Sequence, residues 1–115
     1  SLSKTGQYEK ANEYLERAVL LSSDPMLYYV MAKNEQCLGE YRQAEKHLLH
    51  AIDILPERIY PYYLLMNLYT EPSYFQPAKL KMAIDSVLTK KPKVESSAIK
   101  EMKEKARSML NNTSI

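Results

Sequence analysis

A chain of 115 residues with two glycines and one cysteine is one domain's worth of sequence. Gly6 and Gly39 stand too far apart for a phosphate-cradling loop, glycine is scarce for a multi-stranded β fold, and Cys37 has no second cysteine for an internal disulfide. The net charge of +2 is unevenly spread: residues 1–78 hold seven Lys/Arg against ten Asp/Glu, residues 79–115 nine against four, and no apolar run approaches the ~18 residues of a membrane helix.

Along the chain, Gly6-Gln7-Tyr8-Glu9-Lys10-Ala11 returns as Gly39-Glu40-Tyr41-Arg42-Gln43-Ala44, and Leu15, Ala18 and Leu21 fall on Leu48, Ala51 and Ile54. A fixed period of this size means stacked supersecondary units, each unable to bury its own apolar face. Residues 1–23 read as a truncated first unit. In it, Gly6 is the turn between two helices and Ser1 begins inside the first of them. Residues 25–57 are the complete unit. Asp24 caps a helix with Pro25 at its first position, where a missing N–H costs nothing. Leu27, Tyr28, Met31, Ala32 and Leu38 recur with helical spacing, and Gly39 ends the helix in a left-handed turn. A second helix carries Tyr41, Ala44, Leu48, Ala51, Ile52 and Leu55, and Pro56 stops it. Residues 58–92 open well, with Tyr62, Leu65, Met66 and Tyr69. A longer loop, Glu71 to Pro77, then replaces the glycine turn. The helix that follows holds Leu80, Ile84, Val87 and Leu88 before Pro92. Over residues 96–110 the spacing predicts a capping helix with the stripe Ile99, Met102, Ala106, Met109 and Leu110, capped by Ser96 or Ser97.

These residues resemble the tetratricopeptide repeat family, built from 34-residue helical hairpins. The family's bulky, aliphatic and small first-helix positions fall on Tyr28, Met31 and Ala32. Its small second-helix positions fall on Ala44 and Ala51, the aliphatic or aromatic one on Leu48, and the closing proline on Pro56. Glu35 alone departs, standing where an aromatic ring is usual. The resemblance covers residues 1–92 and implies an all-α, right-handed α-solenoid of about two and a half hairpins, closed by the capping helix. More narrowly, Tyr60-Pro61-Tyr62-Tyr63-Leu64-Leu65 and the stretch from Lys91 to Met102 resemble segments in the C-terminal repeat tails of Bacteroidetes O-antigen polymerase and ligase-type membrane proteins. That resemblance implies a parent enzyme of glycan assembly in the bacterial inner membrane, with this piece as its soluble appendage on a side the sequence leaves open. The alternatives are a free-standing repeat scaffold and a basic module at a membrane surface, using Lys79, Lys81, Lys90, Lys91, Lys93 and the last helix.

Catalytic chemistry is not expected. His47 and His50 at i, i+3 are a possible metal pair, but the repeat register puts both on the outer face, so no metal or other cofactor is expected. The strings Ser1-Leu2-Ser3-Lys4, Ser97-Ala98-Ile99-Lys100 and Lys4-Thr5-Gly6 match fragments of penicillin-recognising enzymes by coincidence, the last being read as a hairpin turn. Nucleic-acid binding is not expected either, because the ten tyrosines lie in the acidic part and the lysines in the basic part. The resemblance implies instead a protein or peptide ligand in a groove lined by the first helices. Carried over by position, the groove residues are Met26, Tyr29, Lys33, Gln36 and Cys37, then Tyr60, Tyr63, Asn67, Thr70 and Glu71. The family's chaperone-binding members clamp peptide carboxylates with Lys and Asn where this chain has Tyr29, Lys33, Tyr63 and Asn67, so that clamp is not expected here. Finally, Tyr14, Leu15 and Val19 are expected to be partly uncovered, and the chain to self-associate through that end.

Overall fold

A computed structural model describes residues 4–21, 24–92 and 94–112. The described residues form six α-helices and one 3-10 turn, with no strand. They fall into two compact units, one ending at Pro56 and the other starting at Glu57.

The first unit holds α1 (Lys4–Val19), α2 (Pro25–Cys37) and α3 (Tyr41–Ile54), and α2 packs against both of the others. The start of α2 follows the sequence: the Asp24 carboxylate accepts the Met26 N–H at 3.0 Å, and Pro25 follows it. Its end is a Schellman turn. Gly39 sits at φ +79°, its N–H donates to the Gln36 carbonyl at 3.1 Å, and the Glu40 N–H donates to the Glu35 carbonyl at 2.8 Å. The turn folds α3 back onto α2 through Ala44, Leu48 and Ala51, all buried. The two alanines let the helix axes approach closely. Between α1 and α2 the link is polar. Asn34 Nδ2 donates to Asn12 Oδ1 at 2.9 Å, and the buried Asn12 donates from its own Nδ2 to the Met31 carbonyl at 3.4 Å.

Gly6 departs from the expected turn. It and Lys4-Thr5 belong to α1, and Gly39 is the one described residue with positive φ. The turn at Gly39 is held by carbonyls of the helix before it. Gly6 instead takes the helical conformation, which glycine adopts at a cost of about 1 kcal/mol relative to alanine. Ser1, Leu2 and Ser3 lie outside the described residues.

In the second unit stand α4 (Tyr60–Tyr69), a 3-10 turn (Pro72–Tyr74), α5 (Pro77–Thr89) and α6 (Ser97–Asn112). Helix α4 packs on α5 and α5 on α6, and α6 also reaches α4. Pro61 and Pro77 each stand in the first turn of a helix, where proline is tolerated. Leu64, Leu65, Met66, Leu68 and Tyr69 from α4 are buried, as are Leu80, Ala83, Ile84 and Val87 from α5. Complete burial of side chains of this size stabilises by roughly 1.5–3 kcal/mol each before the entropy of ordering is set against it. Ser96 caps α6, its Oγ accepting the Ile99 N–H at 3.3 Å. Ala106 is fully buried, and Ile99, Met102, Met109 and Leu110 are half-buried beside it, so the expected stripe is the packed face. Lys103 adds a second tie. Its Nζ donates to the carbonyls of Val87 at 2.9 Å, Leu88 at 3.3 Å and Lys90 at 2.9 Å, closing the C-terminal end of α5 with a positive charge.

Candidate functional site

The expected groove residues lie in two sets, five on α2 in the first unit and five on or just after α4 in the second. On α2, Met26, Lys33 and Cys37 are exposed, Gln36 is half-buried and Tyr29 is buried. Cys37 is not isolated: the Tyr8 hydroxyl of α1 hydrogen-bonds its sulfur. That bond, with the charge of the thiolate behind it, raises the Tyr8 phenol above its ordinary pKa.

In the second unit Tyr60, Tyr63, Asn67 and Glu71 are half-buried and Thr70 is exposed. Tyr60 and Tyr63 lie one helical turn apart with rings nearly parallel, 6.4 Å between centroids and 26° between planes. Lys105 of α6 places its Nζ 5.6 Å from the Tyr63 ring centroid, within cation–π range. Thr70 turns inward on its own helix, its Oγ1 donating to the Asn67 carbonyl at 2.7 Å. Tyr60, Tyr63 and Lys105 therefore form one surface with two aromatic faces and a cation. Lys105 is not among the groove residues expected from sequence, because nothing along the chain says which lysine of an amphipathic helix meets a tyrosine over forty residues away. A second lysine–tyrosine contact joins Lys90 to the Tyr62 ring at 5.0 Å.

The histidines differ from expectation in one respect. His50 is exposed, but His47 is turned onto α2 and not onto the outer face. Its Nδ1 donates to Glu35 Oε1 at 2.7 Å, and the Glu35 carboxylate is almost wholly buried. The Tyr28 ring lies against both imidazoles, 5.9 Å from His47 and 4.7 Å from His50. The physical reason is Glu35. A buried acid needs a polar partner, and His47 is twelve residues on, across the hairpin. Among the described residues no three His, Cys, Asp or Glu side chains are grouped to hold a metal ion. This arrangement offers adhesive faces and a buried polar pair.

No protein-family model matches the chain, and no curated protein matches it. No helix among the described residues is long and apolar enough to cross a membrane.

Proposed function

We propose that the chain is a non-catalytic protein-interaction module: a right-handed α-solenoid of tetratricopeptide-like hairpins that takes a protein or peptide ligand on the faces of its first helices, α2 and α4. One observation carries this reading. The sequence recurrence is also a recurrence of burial. Ala44, Leu48 and Ala51 are the fourth, eighth and eleventh residues of α3, Leu80, Ile84 and Val87 hold the same places in α5, and all six are buried. The first helices agree: Tyr28, Met31 and Ala32 correspond to Tyr62, Leu65 and Met66. A chain that repeats its packing code this way leaves its first-helix faces as the repeated surface. On that surface Tyr60 and Tyr63 offer aromatic rings, which are enriched at interfaces, with Lys105 of α6 placing a cation beside them. The same reading places the module on a larger cell-envelope glycan ligase or polymerase of the O-antigen type, a membrane protein, as the segments around Tyr60 and Lys91 imply.

The test is affinity capture from extracts of the native source, comparing the unaltered chain with Tyr63→Ala and Lys33→Glu. Both positions leave the buried core intact. The expected result is a discrete partner retained by the unaltered chain and lost by the variants with their helical circular dichroism preserved. Partners retained equally by all three would overturn the assignment of the binding faces.

A further inference from the structure

Three side chains of the second unit stand in a row along one face of α4. Tyr60, Tyr63 and Asn67 follow one another at steps of three and four residues, about one helical turn each. The two rings are 6.4 Å apart and nearly parallel. Two polar groups on this surface have bonding capacity to spare. The half-buried Asn67 carboxamide has no hydrogen-bond partner among the described residues, while its main-chain carbonyl serves Thr70. The exposed Lys105 ammonium lies over the Tyr63 ring and meets no carboxylate among the described residues, although Glu101 and Glu104 share its helix. On α2 the matching positions make no such row: Tyr29 is 6% exposed, and Met26 and Lys33 stand where α4 has Tyr60 and Asn67.

We propose that this row binds an extended peptide segment with apolar side chains at two alternate positions and acidic residues flanking them. The proposal rests on the reading of α4 as a ligand-binding face and adds what the ligand must carry. Alternate residues of an extended chain point the same way at intervals of about 6.5 Å. The rings of Tyr60 and Tyr63 are spaced to match, so two apolar side chains from one edge of the segment each meet a ring. A tyrosine ring gives large contact area and has little rotamer freedom to lose. The carboxamide of Asn67 decides between an extended and a helical ligand. It presents donors and an acceptor together, the complement of a main-chain amide. In a helix those amides are already paired, whereas an extended segment offers them outward. Lys105 sets the charge. An exposed ammonium over a ring still has hydrogens for a carboxylate, and an acid beside the apolar pair supplies the partner that the chain itself does not.

The test is fluorescence anisotropy of the full chain with a fluorescein-labelled heptapeptide: two leucines separated by one serine, with two aspartates on each side. Saturable binding that weakens as salt rises is expected. Replacing the aspartates by lysines, or the leucines by serines, is expected to weaken it about 10-fold or more. Tyr63→Ala and Asn67→Ala are each expected to weaken it about 10-fold. Lys105→Ala is expected to weaken it about 3-fold and to flatten the salt dependence. Tyr63→Phe keeps the ring and is expected to keep the affinity. Circular dichroism checks that each variant is folded. No saturable binding overturns the proposal. So does equal affinity for the lysine peptide, or indifference to Tyr63→Ala and Asn67→Ala. If the heptapeptide fails while affinity capture yields a partner that Tyr63→Ala loses, the acidic extended ligand falls and the interaction reading stands. If both experiments fail, both fall.

Discussion

Glu35 and Tyr69 hold the same place in successive hairpins, as do His47 and Ala83, the seventh residues of α3 and α5. One hairpin thus fills the site with a carboxylate and an imidazole, the other with a phenol ring and a methyl group. Removing one member of the polar pair and keeping the other leaves a buried group unsatisfied. His47→Ala alone is therefore expected to destabilise by about 1–3 kcal/mol. Glu35→Tyr alone crowds a ring against His47 and is expected to cost a similar amount. The double change, which copies the other hairpin, is expected to be near neutral, because an apolar pair of suitable volume replaces a buried polar one without loss. Denaturant unfolding of the four proteins measures this coupling, and additive losses would refute it. The glycines make a second pair with opposite signs. Gly39→Ala meets open space around the new Cβ, so its cost is the left-handed backbone alone, about 1–2 kcal/mol. Gly6→Ala, inside α1, is expected to raise stability by about 0.5–1 kcal/mol. Thermal unfolding of both variants checks the signs, and a loss at Gly6 would restore the turn that the sequence alone suggests.

Helices were legible wherever a local signal sufficed. Asp24-Pro25 starts α2, Gly39 ends it, and the apolar spacing from Ile99 to Leu110 marks α6 and the face it buries. Contacts made across helices were not. Glu35 stood out as an anomaly, but its partner is fixed by the way α3 folds back on α2. The binding of Lys103 to three carbonyls of the preceding helix end has no signature in a lysine-rich stretch, since Lys100 and Lys105 read the same way. That contact carries its own prediction. Lys103→Met keeps the aliphatic stem and removes the charge and the donors. It is expected to cost about 1.5–3 kcal/mol, the range for hydrogen bonds to a charged group. Amide hydrogen exchange should localise the loss to the last turn of α5 and to α6. Protection unchanged in both segments would mean that apolar packing alone docks α6.

At the scale of the whole molecule, the basic surplus after residue 78 invites a membrane surface or another polyanion, yet part of that charge is already engaged. Lys103 is bound to carbonyls, Lys90 and Lys105 lie over tyrosine rings, and Asp85, Glu101 and Glu104 are exposed among the remaining cations. Lys93 lies outside the described residues. Co-sedimentation with anionic phosphatidylserine vesicles is therefore expected to be weak and to vanish near about 0.15 M salt, where screening sets in within about 8 Å. Retention of most of the protein at that salt would favour the membrane-surface alternative. The recurrence of buried positions was legible because it rests on spacing, and the order of residues on each face follows from spacing alone. The chemistry of the faces was less so, because Tyr60, Tyr63 and Lys105 meet only after α4, α5 and α6 have packed. The position of Lys103 has one more consequence. An amine that gives its hydrogens to three carbonyls has little freedom to attack an acylating reagent, whereas Lys100 and Lys105 on the same helix are exposed. The relative labelling of these three lysines is thus a built-in gauge of whether α6 is seated, readable by mass spectrometry in a mixture and without any substitution.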